Sequence, residues 1–337
     1  MSTEPHDDGR DLRDLRRQAD EIALDDHVAT SARPAYRIIA THLWAMLRGL
    51  KFDQGRVLAV GEDAATLLGL PHTDGHSFTS LVADITPDHA PGAETPAHET
   101  VPRIGDRYDV VIASLPYNDV RLQDPAHVVL RRAGQAKLAA TLQHLTSPGG
   151  FTVLLASHDL MDNPYPRTRT QLHLGGDLLG AVRLPAGTHR QLPGLDLTTD
   201  LLVLRRRPEH ADTRSEQFDR TISIRVDGRD LEVNTYFDNH VDQVLGTIGS
   251  DPLAWGPAAV TVTSTSDRLD HDLADAFANI TTRGRRSGMT YHFADVSEPM
   301  RVTEPTANLV RSGDRQPDSS TPRLRPRRAH GSSGLER

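Results

Sequence analysis

The segment from Tyr108 to Val120, YDVVIASLPYNDV, constrains the fold more than any other part of the sequence. It contains consecutive β-branched residues at 110–112, a run that is typical of a strand buried on both faces. Four residues then break the strand: Ser114, Leu115, Pro116 and Tyr117. In open α/β sheets ligands bind at the carboxyl ends of the strands. The sequence therefore predicts a candidate site at these four residues.

Predicted strands alternate with predicted helices along residues 34–207. The strands cover 56–60, 80–85, 108–113, 151–156, 178–184 and 201–205, and the helices cover 35–50, 64–70, 126–145 and 167–174. This alternation predicts a doubly wound, mostly parallel α/β sheet. A long loop without helical character joins the last two strands, which predicts an antiparallel pair at one edge.

Composition divides the chain into four segments. Residues 1–28 are highly charged and predict an N-terminal arm or helix, and residues 29–207 form the α/β domain. Residues 208–295 predict a small α+β appendage, with a hairpin around Asp227-Gly228 and helices at 234–248 and 270–280. Residues 296–337 are rich in Pro, Ser and Arg and predict a disordered basic tail.

Composition also limits the class of protein. The chain has 337 residues and no cysteine, which excludes disulfides and thiolate metal sites. No run approaches the ~18 apolar residues of a membrane span, and the N-terminus has no apolar signal core, so we expect a cytoplasmic protein. The net charge of −8 is unusual for a tight DNA binder. Basic clusters at 205–207, 283–286 and 323–328 nevertheless leave DNA binding open.

Two further features match the requirements of a class I methyltransferase in part. The first strand ends in the turn Val60-Gly61-Glu62, where backbone could approach the methionine part of S-adenosylmethionine. Asp84 ends the second strand, 23 residues after Gly61, a spacing typical of an acid that binds ribose hydroxyls. An acid in this position is also a common loop cap. The turn has a single glycine, and Ala64 and Ala65 add side chains where close approach is needed.

At the fourth strand the chemistry would be methylation of an exocyclic amine on a flipped base. Ser114 and the Leu115 carbonyl would orient the amine, and Tyr117 would stack on the base. The structural alternative is that Pro116 ends the strand and Tyr117 packs against a helix. Two other patterns are weaker. His72 and His76 lack the further ligands of a metal site. Residues 157–159, Ser-His-Asp, are consecutive and cannot form a triad, so we expect them to line the cleft.

Several motifs follow one another in a distinctive order. Ser31-Ala32-Arg33-Pro34 precedes the first helix, and the segments that follow are 56–70, 82–87, 108–125, 146–157, 177–185, 198–206 and 224–246. In sequence and in order these motifs resemble the N6-adenine DNA methyltransferase domain of large phage- and plasmid-type methylase–helicase proteins, a group that includes antirestriction and phage-defence components. The resemblance runs from about Ala29 to Gly249.

The resemblance implies S-adenosylmethionine as cofactor, DNA as partner and a site in two parts. The cofactor would contact Pro34, Val60, Gly61, Glu62 and Asp84, and the catalytic residues would be Ser114, Leu115, Pro116 and Tyr117. This chain departs from the pattern by having one glycine in the cofactor turn and Ser114 in place of the usual Asn. It also has no GxxxxGK[ST] phosphate loop, so any helicase would be a separate partner.

Two functions stay open at this point. One is DNA adenine-N6 methyl transfer. The other is a catalytically degenerate methyltransferase fold that serves as a DNA-binding or assembly module in a defence or mobile-element system.

Overall fold

The computed structural model describes residues 32–61, 64–69, 79–87, 97–103, 105–115, 125–188, 190–192, 195–208, 210–251, 260–264 and 268–292. All of these residues belong to one compact unit. The predicted N-terminal arm at 1–28 and the predicted tail at 296–337 lie outside the described residues.

Helices and strands alternate through the first two thirds of the described chain. The helices are α1 (Ala32–Gly49), α2 (Ala64–Leu67), α3 (Pro125–Leu145), α4 (Asp159–Asp162), α5 (Arg167–Gly175), α6 (Thr235–Asn239) and α7 (Leu269–Arg286). The strands are β1 (Gly55–Gly61), β2 (Thr79–Ile85), β3 (Ala97–Glu99), β4 (Tyr108–Ser114), β5 (Thr146–Ser157), β6 (Gly176–Arg183), β7 (Arg190–Leu192), β8 (Leu195–Leu197), β9 (Thr199–Arg206), β10 (Thr221–Val226), β11 (Arg229–Asn234), β12 (Thr247–Ser250) and β13 (Val260–Thr263).

Seven strands form a central sheet in the order β3-β2-β1-β4-β5-β9-β6. Strands β1, β4 and β5 are parallel, whereas β9 is antiparallel to both β5 and β6. The predictions of an α/β sheet and of an antiparallel pair at its edge are therefore confirmed. The carboxyl ends of β1, β4, β5 and β6 meet the amino end of β9 at one side of the sheet, which we name the carboxyl edge. The opposite side is the amino edge.

Strand β2 runs in the direction opposite to the one that the βαβ pattern predicted. It pairs antiparallel with β1, with Gly61 opposite Thr79 and Gly55 opposite Ile85. A parallel return requires a crossover that carries the chain back along the sheet, usually a helix. The helix described between these strands, α2, has only four residues, Ala64–Leu67. The chain enters β2 from the carboxyl edge instead.

Apolar side chains cover both faces of the sheet, as expected for a doubly wound fold. One face packs against α1 and α7, through residues such as Leu43, Leu47, Phe277 and Ile280. The other packs against α3, α5 and the β10–β11 hairpin, through Leu142, Leu172, Phe218 and Leu231. Residues beyond 207 thus contribute to both cores. Of the described helices, none is long and apolar enough to cross a membrane.

The predicted helix at 234–248 is wrong beyond residue 239. Asn234 caps α6 by accepting a hydrogen bond from the Tyr236 amide, and α6 ends at Asn239. A one-turn 3₁₀ helix follows, and residues 247–250 then form β12 against β13. A Cβ at Gly246 would lie 2.3 Å from the Thr263 carbonyl oxygen, so this glycine allows close pairing of the extended chain. The predicted hairpin at 222–233 and the helix at 270–280 are confirmed.

Candidate active site at the carboxyl edge

Strand β1 ends at Gly61, directly beside the end of β4. Gly61 has φ +130°, a conformation that side chains rarely tolerate. A Cβ at this position would lie 2.6 Å from the Ser114 carbonyl oxygen and 3.0 Å from the Ser114 Cβ. The turn therefore requires glycine because β4 approaches it closely. Ser114 is the neighbour of Gly61 in the sheet, since the preceding residues, Val60 and Ala113, pair across β1 and β4.

The Ser114 side chain is in turn engaged by helix α1. Its hydroxyl forms a 2.7 Å hydrogen bond with the hydroxyl of Tyr36, and each residue is only 1% exposed. The next residue, Leu115, is equally buried, and its amide donates to the Leu155 carbonyl at 2.8 Å. Ser114, the predicted acceptor for the target amine, is thus hydrogen-bonded to Tyr36 in the protein interior.

The turn that begins at Val60 and leads into α2, which we name the donor turn, is also closely packed in its described part. Val60 is 3% exposed and belongs to the core on the α3 face of the sheet. Ala64 and Ala65, the first residues of α2, are buried as well.

Asp84 does not lie near Gly61, and the expectation that the two share one sheet edge is wrong. Because β2 is antiparallel, Asp84 pairs with Arg56 near the start of β1 and is exposed. Five residues separate Arg56 from Gly61, so at about 3.3 Å per residue Asp84 lies roughly 16 Å from the Gly61 end of the strand. The described residues therefore do not fit S-adenosylmethionine, because Asp84 does not lie where it could bind the ribose beside Gly61.

The other predicted site residues are described only in part. Pro34 lies in the first turn of α1. Glu62, Pro116 and Tyr117 lie outside the described residues, as do His72 and His76. The stacking role of Tyr117 stays a prediction. Among the residues that the structure describes, no three His, Asp or Glu side chains form a group that could hold a metal ion.

A buried charge cluster occupies the same edge, two and three strands away from Ser114. Arg183, the last residue of β6, donates from Nε and Nη2 to the two carboxylate oxygens of Asp200, both at 2.8 Å. Its Nη2 also lies 2.8 Å from Asp162 Oδ2, and the three side chains are fully buried. The guanidinium carbon stacks 4.1 Å from the centroid of the Phe237 ring. Together these contacts neutralise and cover the cation.

Burial by itself raises the pKa of both carboxyl groups in this cluster. At Asp162 the charge of Arg183 and a 3.2 Å hydrogen bond with His158 Nδ1 outweigh burial, and the pKa falls below its usual value. At Asp200 burial prevails and the pKa is raised. The carboxylates also raise the pKa of Arg183, which stays charged. His158 is 3% exposed and takes part in this cluster, so it does not line an open cleft as predicted.

Asn234 ties the cluster to the C-terminal part of the chain. Its amide donates to Asp162 Oδ1 at 2.9 Å, and its side chain donates to the carbonyls of Met161 and Phe218 at 2.9 Å. Its side-chain oxygen caps α6. The motifs at 177–185, 198–206 and 224–246 therefore meet at Arg183, Asp200 and Asn234. These residues of the three motifs therefore have a structural role.

The sequence reasoning missed Asp162, Arg183 and Asp200 as a group. Arg183 ends one apolar strand, and Asp200 lies at the start of another. A charge in a buried strand needs a partner, so the sequence did contain a signal. The pattern does not say which partner, since Asp162 comes from a different segment.

The basic cluster at 205–207 lies at the opposite, amino edge and is engaged in helix capping. Arg206 donates to the carbonyls of His144 and Thr146 where α3 ends. Arg207 Nη2 donates to the His173 carbonyl at 3.0 Å, where α5 ends. Cations at helix carboxyl ends offset unpaired carbonyls and the helix dipole. These arginines therefore have a structural role that a DNA contact would have to share.

Arginines of the second basic cluster also have partners within the protein. Arg285 Nε donates to the Gly49 carbonyl at 2.6 Å, and Arg283 Nη1 donates to the Tyr236 hydroxyl at 3.1 Å. The third cluster, at 323–328, lies outside the described residues.

Asp177 at the amino edge gives a pH-dependent prediction. Burial alone raises the pKa of Asp177, but hydrogen bonds from the Arg214 amide and the Arg207 side chain outweigh it and lower the pKa. A carboxyl group whose pKa is lower in the folded than in the unfolded protein stabilises the fold above the unfolded pKa of about 3.9. That stability is lost as the pH falls through the folded pKa. We expect the free energy of unfolding to decrease from about pH 5 downward, and less steeply in Asp177→Asn.

Urea denaturation across this pH range measures the effect. The exposed carboxyl group of Asp230 provides the control, and Asp230→Asn should retain the wild-type slope. Equal slopes in wild type and Asp177→Asn would contradict the assignment.

Comparisons with known proteins give short structural matches only. No protein-family model matches the chain, and no curated protein matches its sequence. One matching structure is assigned as a class I S-adenosylmethionine-dependent methyltransferase from Listeria monocytogenes, with 18% identity, 34% of this chain, 37% of that chain and a TM-score of 0.24. A chain of a type I restriction–modification system matches at 20% identity over 33% of this chain and 23% of its own, with a TM-score of 0.24.

A third match has the longest overlap of these three. It is a modification subunit assigned to a type I restriction enzyme from Vibrio vulnificus, with 15% identity over 49% of this chain and 38% of that chain, and a TM-score of 0.23. The chain thus spans less than two fifths of each of these structures. Matches this weak establish neither a family nor an activity for the chain.

Proposed function

We propose that this chain has a methyltransferase fold that no longer transfers methyl groups and serves as a non-catalytic DNA-binding module of a defence or mobile-element system. One observation carries the proposal: the Ser114 hydroxyl is hydrogen-bonded to the Tyr36 hydroxyl inside the protein, where both residues are 1% exposed. The position of Asp84 near the amino edge supports it. A cofactor would have to displace Tyr36 and would still lack an acid for its ribose.

The DNA-binding part of the proposal rests on the motif resemblance to DNA methyltransferases and on the carboxyl edge. The buried ion pairs of Arg183 with Asp162 and Asp200 lie at that edge. Because the net charge is −8, we expect modest and strongly salt-dependent affinity. A separate helicase or other defence protein as an assembly partner is a further expectation of the resemblance.

The alternative is methyl transfer to the exocyclic amine of a flipped base, adenine N6 or cytosine N4. It is favoured by the place of Ser114 and Leu115 at the carboxyl end of β4, the edge at which α/β enzymes bind ligands. In that case S-adenosylmethionine would supply the methyl group, and Tyr36 would have to leave Ser114 before an amine could reach it.

A methylation assay separates the two functions. The chain is incubated with tritiated S-adenosylmethionine and unmethylated plasmid DNA, and the DNA is counted beside a Ser114→Ala control. We expect no incorporation above background from either protein. Incorporation by the wild type that is lost in Ser114→Ala would refute the proposal and establish the methyltransferase alternative.

A further inference from the structure

Tyr165 is displayed on the surface by a stiff loop. It is 76% exposed and is the one aromatic residue among the four exposed large hydrophobic residues of the described part of the chain, which are 71–84% exposed. Prolines at 164 and 166 flank it, which restricts the backbone on both sides. The Asn163 side-chain oxygen accepts a 2.9 Å hydrogen bond from the Tyr165 amide. An aromatic ring presented in this way loses little conformational entropy when it binds a partner.

The loop that carries Tyr165 is anchored to the carboxyl edge. It follows directly on α4, whose last residue is Asp162, fully buried against Arg183 at the end of β6. Helix α5 then leads from the loop to Gly176, the first residue of β6 at the amino edge. Tyr165 therefore stands at the edge where Ser114 lies, and Leu174, near the other end of α5, stands at the opposite edge.

The surface around Tyr165 carries a cation. Arg167 begins α5, is exposed, and makes no ion pair with any of the described residues. The nearest acids along the chain, Asp159 and Asp162, are buried, and Asp162 is paired with Arg183. The exposed ring of Tyr165 and the exposed guanidinium of Arg167 are two residues apart in the sequence, and we name the two together the Tyr165–Arg167 platform.

We propose that the Tyr165–Arg167 platform binds an unpaired nucleotide of DNA, with the tyrosine ring stacked on the base and the guanidinium on a phosphate. Aromatic rings stack on any base, and arginine neutralises the backbone, so this pair of groups suits single-stranded DNA without sequence preference. The inference rests on the proposed DNA-binding function and names the residues that would carry it. It does not involve Ser114 or the donor turn.

Fluorescence anisotropy with a short fluorescein-labelled oligothymidylate tests the platform on the full chain, with variants compared at one low salt concentration and the salt dependence measured over a series of salt concentrations. We expect Tyr165→Ala to weaken binding about tenfold, whereas Tyr165→Phe keeps the ring and stays within about twofold of the wild type. Arg167→Gln should weaken binding and flatten its salt dependence. Leu174→Ala is the matched control, since Leu174 is 71% exposed on the same helix but at the amino edge.

Each outcome has a distinct meaning. Loss of binding in Tyr165→Ala but not in Tyr165→Phe or Leu174→Ala supports the platform. Wild-type affinity in Tyr165→Ala overturns it and leaves DNA binding by the chain standing. If the wild type binds neither the oligothymidylate nor a labelled duplex, both the platform and the proposed function fail. Because Tyr165 is exposed, all variants should melt at the wild-type temperature, which circular dichroism confirms before binding is compared.

Discussion

Replacing Arg183 by glutamine is expected to lower the free energy of unfolding by about 3–5 kcal/mol. Arg183 is the only cation in direct contact with both Asp162 and Asp200 among the described residues, and all three side chains are fully buried. Glutamine leaves two carboxyl groups without their charged partner in a site that water does not reach. Chemical denaturation followed by circular dichroism measures the loss.

The chain offers a matched control for this variant. Arg225 pairs with Asp230 at 3.3 Å, but the two side chains are 70% and 65% exposed. Exposed pairs contribute little, so Arg225→Gln should change the free energy of unfolding by less than about 1 kcal/mol. Equal small losses in both variants would contradict a stabilising role of the buried cluster. If Arg183→Gln does not fold, a triple variant with Arg183→Met, Asp162→Asn and Asp200→Asn should recover part of the stability.

Alanine at Gly61 is expected to destabilise the fold by about 2–5 kcal/mol. Part of the cost is the backbone conformation, since φ is +130°. The larger part is steric, because the new methyl group would meet the Ser114 carbonyl oxygen at 2.6 Å and β4 cannot move without breaking its pairing with β5. Thermal and chemical denaturation of the variant measure the sum.

Gly105 separates the two contributions. It also has a positive φ, +105°, but a Cβ there has no atom within 4 Å. Gly105→Ala should therefore show only the conformational cost, about 1–3 kcal/mol. If Gly61→Ala costs no more than Gly105→Ala, the close approach of β4 to Gly61 is contradicted.

The sequence predicted the central part of the fold because local patterns determine it. The apolar run at 108–113 became β4 at 108–114, and the predicted strand at 56–60 became β1 at 55–61. The antiparallel edge pair followed from the loop between the last two strands, which has no helical character and so offers no crossover helix. These features depend on hydrophobic patterns and on the lengths of connections, and both can be counted in a sequence.

The direction of β2 could not be predicted in the same way. The segment SLVADI has the composition of a buried strand whichever way it runs, and the fold analogy supplied a parallel direction. The position of Asp84 depends entirely on that direction. The spacing of 23 residues from Gly61 was therefore compatible with two opposite ends of the sheet.

The sequence predicted the position of Ser114 but not its contacts. Ser114 does lie at the carboxyl edge as expected, yet Tyr36 comes from a helix 78 residues away and no local pattern announces the contact. The Arg183 cluster likewise joins residues from three segments. Long-range pairing of this kind is set by the whole packing of the chain and is not contained in a motif.

Titration of S-adenosylmethionine into the purified chain, followed by isothermal calorimetry, tests the central claim most directly. If the chain does not bind the cofactor, the heats measured for the wild type will equal the heats of dilution. Saturable binding in the micromolar range would contradict the account, because it would mean that the cofactor gains access to Gly61 despite Ser114 and Tyr36.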